Sequence, residues 1–284
     1  MSQAPSFAER VESRMQAIDS LVCVGLDPVL DKLPSGFDRS VEGVVHFCQG
    51  IIEATLPSAT AYKPNLGFFA GLGRPGLNAL WAVRHSIPAN VPVILDCKVG
   101  DVGETARAYA HGWLAEFGFD AVTVNPYLGE DATAPFMEYA GKGVIVLCKT
   151  SNPGSGDLQD LPVSGDQPLY LTVADRCREW EARYPASVGL VVGATYPDQL
   201  SAVRQRVGNQ VILLPGVGAQ AGDIVGSLRA GLSSSGTGLL CSASRSILYA
   251  ASDERYDVAA AEVAGGLRDE INRIRQELQL TANA

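Results

Sequence analysis

VPVILDCKVGDVGETARAYA, residues 91–110, begins as an uninterrupted apolar run and ends as a helical face. A strand that is continuously apolar, rather than alternating, has both faces buried, as in a parallel sheet. Ala106, Tyr109 and Ala110 then start a stripe that Trp113, Leu114 and Phe117 continue at helical spacing. Between the two patterns stand Asp96, Lys98 and Asp101, three charges within six positions. Charges at the edge of a core are costly unless they pair or take part in chemistry.

The same strand-like signal recurs along the chain. The runs are LVCVGL (21–26), ATAYK (59–63), VPVILD (91–96), DAVTVN (120–125), GVIVLC (143–148), SVGLVVGA (187–194), QVILLPG (210–216) and TGLLCSA (237–243). Helical patterns fit 40–55, 168–184 and 197–207, and Val263, Leu267, Ile271, Ile274 and Leu278 share one face near the end. The gap containing GLGRPGLNALWAVRHS (71–86) is less regular, and the Gly-rich stretch 219–231 has room for a short helix. Eight strands alternating with helices in 284 residues predict an α/β fold, a (β/α)8 TIM barrel, as a single domain over 1–284. An N-terminal helix precedes it. An open doubly wound sheet is the competing topology, but its GxGxxG fingerprint is missing and the first strand ends in GLDP (25–28). The longest irregular stretch, TSNPGSGDLQDLPVSGDQ (150–167), follows the fifth strand and reads as a lid.

Net charge is −9 and the pI is near 4.9. With no run of Lys or Arg, nucleic acid is excluded as the main partner. An anionic small ligand must then meet a local cationic pocket. The six cysteines lack metal-type spacing and read as reduced core thiols. The start, MSQAPSFAERVESRMQAIDS, is polar and helix-like, so no signal peptide is expected. No apolar run approaches the roughly 18 residues of a membrane span. A cytoplasmic protein without a membrane partner is the expectation.

In a barrel of this kind the chemistry lies where the strands end. Strand one ends in Asp27, strand two in Lys63 then Asn65, and strand three in Asp96 and Lys98, with Asp101 in the turn. Strand five leads into Lys149, Thr150 and Ser151. Asp96 and Lys98 are two apart and share a face. Each carboxylate keeps a neighbouring amine protonated, and each amine keeps its acid ionised. An ammonium held this way can deliver a proton to carbon and stabilise a developing carbanion. The loops after strands seven and eight, PGVGAQAGD (215–223) and SASRSI (242–247), sit where barrels hold phosphate. Gly216 and Gly218 allow close backbone approach, and Gln220 and Arg245 supply donors. His46, His85 and His111 fall on helices away from strand ends, and Trp81, Trp113 and Trp180 read as helix-to-barrel packing. Asn125 and Tyr127 follow strand four as candidate pocket residues.

LDCKVGD (95–101) resembles the Asp-x-Lys-x-x-Asp signature of the orotidine 5′-phosphate decarboxylase family. VGLDP (24–28), AYKPNLGFF (61–69), VTVNPYLG (122–129), VLCKTSNPGSGD (146–157), LLPGVGAQ (213–220) and SASRSILYA (242–250) are similar to its longer bacterial subgroup, type 2. The resemblance implies a carboxy-lyase that converts orotidine 5′-phosphate (OMP) to UMP and CO2, the last step of de novo pyrimidine synthesis, without metal or organic cofactor. It implies Lys98 as proton donor to C6, Asp96 against the substrate carboxylate, Lys63 completing the network and Asp27 on a ribose hydroxyl. Arg245, Gln220 and the Pro215 loop would hold the phosphate end, and Ser151, or else Thr150, the pyrimidine. It further implies a homodimer in which Asp101 and Thr105 reach the partner's site. Cys97 and Val99 depart from the family's pattern, where Ala and a basic residue are expected, and alternation turns both away from the working side chains.

Three other readings fit the same charges. A metal-dependent sugar-phosphate lyase or synthase shares the signature on the same barrel. An imine-forming aldolase would need Lys63 or Lys98 as a neutral amine, which flanking aspartates oppose. A nucleotide-binding barrel without catalysis would bind UMP and turn nothing over.

Overall fold

The computed structural model describes residues 4–217 and 224–282. Its strands are β1 (Val22–Leu26), β2 (Ala59–Pro64), β3 (Ile94–Val99), β4 (Ala121–Val124), β5 (Gly143–Lys149), β6 (Pro162–Ser164), β7 (Gln167–Pro168), β8 (Ser187–Val192), β9 (Ile212–Pro215) and β10 (Leu239–Ala243). Eight of them form one parallel sheet in the order β2-β1-β10-β9-β8-β5-β4-β3. The two outer strands meet through parallel bridges, Tyr62 to Val93 and Asn65 to Asp96, so the sheet curls into a barrel. Strands β1, β2, β8 and β10 are buried along their whole length, which is why their sequences read as unbroken apolar runs. This is the expected (β/α)8 TIM barrel.

The helices are α1 (Phe7–Ile18), α2 (Val41–Thr55), α3 (Leu66–Ala70), α4 (Arg74–Ser86), α5 (Gly103–Ala110), α6 (Glu130–Met137), α7 (Gly156–Gln159), α8 (Leu169–Arg183), α9 (Pro197–Val207), α10 (Ile224–Gly231), α11 (Arg245–Leu248) and α12 (Tyr256–Ala282). The irregular gap after β2 resolves into α3 and α4. The stripe predicted after β3 runs through α5 and then loosens into a π turn, His111–Glu116, where the Phe117 N–H donates to the Gly112 carbonyl.

Helix α1 decides which end of the barrel stays open. A capping box starts it: Ser6 Oγ accepts from the Glu9 N–H, and Glu9 Oε2 accepts from the Ser6 N–H. Its Phe7, Val11 and Met15 are buried. Its polar side reaches the beginnings of several strands. Arg10 pairs with Asp120 at 2.8 Å, Arg14 donates to the Ala59 carbonyl, and Ser187 Oγ accepts from the Ala8 N–H. The N-terminal mouth is thereby covered, and the strand ends carrying the charges are left accessible.

Two sequence expectations change. The stretch 150–167 is not irregular: a 3-10 turn (Pro153–Ser155), α7 and the antiparallel β6–β7 hairpin fill it. These pieces are too short for hydrophobic periodicity to register. Trp81 does not pack against the barrel; it is 49% exposed and stacks on His85 with ring centroids 3.8 Å apart. Trp180 is buried, as expected.

Candidate active site

Burial and charge collide first at Lys63, the penultimate residue of β2, which is 4% exposed. Its Nζ lies 2.9 Å from Asp96 Oδ2. The other oxygen of the same carboxylate, Oδ1, lies 2.5 Å from Lys98 Nζ. One carboxylate therefore bridges two ammonium groups contributed by two strands. Burial opposes ionisation of Asp96, but Lys63 and Lys98 outweigh it and bring its pKa down to about 2. Burial likewise opposes the charge on Lys63, yet Asp96 and then Asp27 hold its pKa above the ordinary lysine value.

Asp96 and Lys98 meet, but not through simple strand alternation. Leu95 pairs with Val122 and Val99 with Val124, so Asp96, Cys97 and Lys98 together face the single residue Thr123. Lys98 takes up the excess with φ at +46°, a left-handed conformation costing a non-glycine residue about 1–2 kcal/mol. Thr123 supports the bulge. Its Oγ1 accepts from the Lys98 N–H at 2.8 Å and donates to Asp96 Oδ1 at 3.1 Å, while its carbonyl accepts from the Cys97 thiol at 3.3 Å. Cys97 thus turns away from the site as expected, and Val99 packs against the core. Burial pushes the Cys97 thiol up to about 11. The described structure holds all six cysteines as free thiols.

Beside this array lies a cavity of about 490 Å3, with Asp27, Lys63, Asp96, Pro215 and Arg245 in its wall. Asp27 Oδ1 is buried without a hydrogen-bond partner among the described residues. The wall also includes Ser244–Ser246, just after β10. That segment comes close because residue 25 is glycine: a Cβ there would sit 1.9 Å from Ser244 Oγ. Arg245 opens α11 at this wall.

The remaining expected residues are placed differently. Ser151 is exposed and outside the cavity wall, with its backbone against Gly193, where a Cβ would come within 2.8 Å of Ser151 Cβ. Thr150 is engaged with Gln159, whose Oε1 accepts from the Thr150 N–H and whose Nε2 donates to Thr150 Oγ1. Asp101 accepts from the Val102 N–H, and Thr105 is exposed on α5. Neither is in the cavity wall of this chain, and Lys98 is not in it either, being held beside the wall by Asp96. Asn125 caps the turn at Tyr127, which is 75% exposed, and neither of these two candidates is in the cavity wall. Gln220 and Gly218 lie outside the described residues. His46, His85 and His111 lie on or at the end of helices, away from the cavity.

Sequence reading missed two features. Thr123 gives no signal, because a threonine in the run AVTV looks like any β-branched strand residue. Lys149, 1% exposed, pairs with Asp160 at 2.8 Å, donates to Ser155 Oγ at 3.2 Å and lies over the Tyr196 ring at 4.8 Å. Its lysine was visible at a strand end, but its partner eleven residues on was not.

Comparison with known proteins gives the family. The chain is 48% identical over 274 residues to the orotidine 5′-phosphate decarboxylase of Thermomicrobium roseum, covering 96% of this chain and 97% of that protein. It is 44% identical over 272 residues to the same enzyme of Cupriavidus metallidurans, covering 95% and 99%. The structure of Leishmania donovani OMP decarboxylase superposes with a TM-score of 0.82 at 42% identity, covering 95% and 99%. The family model described as orotidine 5′-phosphate decarboxylase / HUMPS matches residues 20–261, and the chain belongs to that family.

Proposed function

We propose that this chain is a carboxy-lyase that converts OMP to UMP and CO2 in pyrimidine synthesis, with residues 1–284 acting as one barrel domain. The observation that carries the reading is the Asp96 carboxylate, which lines the cavity beside Lys63 and ties Lys98, itself outside the lining, to that wall. The C6 carboxylate of the substrate sits against Asp96. When the C6–carboxyl bond breaks, CO2 leaves and the electron pair stays on C6. Lys98 Nζ, 49% exposed and held by Asp96, gives C6 its proton and is reprotonated from solvent. Its charge stabilises the carbanion as it forms. Lys63 and Asp96 hold the array. The unpartnered Asp27 oxygen accepts a ribose hydroxyl, and Arg245 with the Pro215 turn receives the phosphate. Gln220 and Ser151 complete phosphate and pyrimidine contacts in this reading.

The reading includes a cytoplasmic homodimer in which Asp101 and Thr105 enter the partner's site. It is supported by exposed apolar side chains, Val102 and Tyr109 near Asp101 and Thr105 in the chain and Tyr127 and Leu128 in the turn after β4. Among the described residues no helix is long and apolar enough to cross a membrane. Asp101→Ala and Lys98→Ala chains, each inactive, should regain up to about a quarter of wild-type activity when co-folded, since random pairing gives that share of intact sites. No recovery would place Asp101 in its own subunit's chemistry.

The direct test follows pyrimidine absorbance with OMP in excess EDTA. Steady conversion to UMP is expected. No conversion at high enzyme concentration, with EDTA-sensitive turnover of a pentulose or hexulose phosphate, would favour the metal-dependent sugar-phosphate reaction instead.

A further inference from the structure

We infer that Thr123 is a positioning residue for the Asp96–Lys98 pair: its hydroxyl sets the geometry in which the ammonium meets the substrate carbon. The inference rests on the reading of Lys98 as proton donor. Three consecutive residues of β3 all bond to Thr123: the Asp96 carboxylate and the Lys98 N–H to its hydroxyl, the Cys97 thiol to its carbonyl. The hydroxyl serves as donor to one member of the catalytic pair and acceptor from the other, so it fixes their relative position.

Among the described residues no other side chain bonds to both Asp96 and Lys98. The bulge interrupts the pairing of β3 with β4 between Leu95 and Val99, so Lys98 has no strand partner for its N–H. Without the hydroxyl that N–H has no acceptor at this spot, and the left-handed backbone at Lys98 loses what holds it. Lys98 is the freer side chain of the pair, whereas Thr123 is 1% exposed and belongs to the rigid barrel wall. A flexible ammonium is thereby tied at its backbone to a rigid element. Thr123 itself stays out of the cavity wall, so its action runs through Asp96 and Lys98.

The test compares Thr123→Val, which keeps shape and removes the hydroxyl, with Thr123→Ser, which keeps the hydroxyl. Lys98→Ala is assayed in parallel, and Thr123→Ala replaces the valine variant if that one fails to fold. For Thr123→Val, kcat on OMP should fall roughly 10- to 100-fold, as for a small misplacement of a catalytic group. KM and the Kd for UMP should stay within about threefold, and Thr123→Ser should recover kcat to within about threefold of wild type. Wild-type kcat in the hydroxyl-free variant beside an inactive Lys98→Ala would overturn the inference alone. Equal losses in kcat and UMP affinity that serine does not repair would also overturn it, by making the role structural. An active Lys98→Ala would remove the proton-donor reading, and this inference with it.

Discussion

Asp96 is the residue on which the site turns, because its two oxygens hold two lysines. Its pKa falls from 3.8 to about 2, so its stabilising contribution is complete above the ordinary carboxylate value and is lost as pH drops through about 2. Lys63 is shifted upward, so its contribution is complete below the ordinary lysine value and is lost only as pH rises past the raised one. Both stay ionised between about pH 4 and 10. A pH profile of kcat should therefore show no limb from this pair between about pH 5 and 9, and Asp96→Asn should lower kcat at least about 100-fold throughout. A limb inside that window that disappears in Asp96→Asn would contradict the assignment. Asp27, Lys63, Asp96, Lys98 and Arg245 were legible in the sequence because a charge closing an apolar run stands out. Thr123 was not, since its hydroxyl becomes informative only once the bulge places it opposite Asp96 and Lys98.

At the level of elements, the segment after β5 is an anchored unit rather than a loose loop. Lys149 is fully buried and its pair with half-exposed Asp160 ties α7 and the hairpin back to the barrel. Leaving a buried ammonium without its partner costs about 3–5 kcal/mol in a closed interior, and less here because Asp160 is half in water. Asp160→Asn should open residues 150–168 to limited proteolysis and weaken UMP binding several-fold, with a folded barrel by circular dichroism. Unchanged cleavage and binding would show that the pair does not hold the segment. Strands and most helices were legible because burial on both faces, or on one stripe, leaves a periodic trace. The hairpin left none: its strands hold three and two residues and it contains two prolines.

For the whole molecule, eight runs and the chain length sufficed to predict a closed barrel. Which mouth α1 covers, and how the first turns are sealed, were not legible, since both depend on long-range partners. Arg204 is the clearest such partner. It is nearly buried and donates to the carbonyls of Gly231, Gly208, Gln210 and Gly238, with no carboxylate among those acceptors. Burial lowers its pKa to about 10. Arg204→Met strips these carbonyls and should cost about 3 kcal/mol or more in urea denaturation. It lies away from the cavity, so kcat should hold. Loss of kcat without loss of stability would refute this division between the two ends of the barrel. The central claim is that acids and amines from separate strands converge to hold one ammonium ready for a carbon anion. It is tested most directly by the rate of UMP formation from OMP in Lys98→Ala. The account predicts a folded protein that still binds UMP and shows no measurable turnover; turnover at the wild-type rate would contradict it.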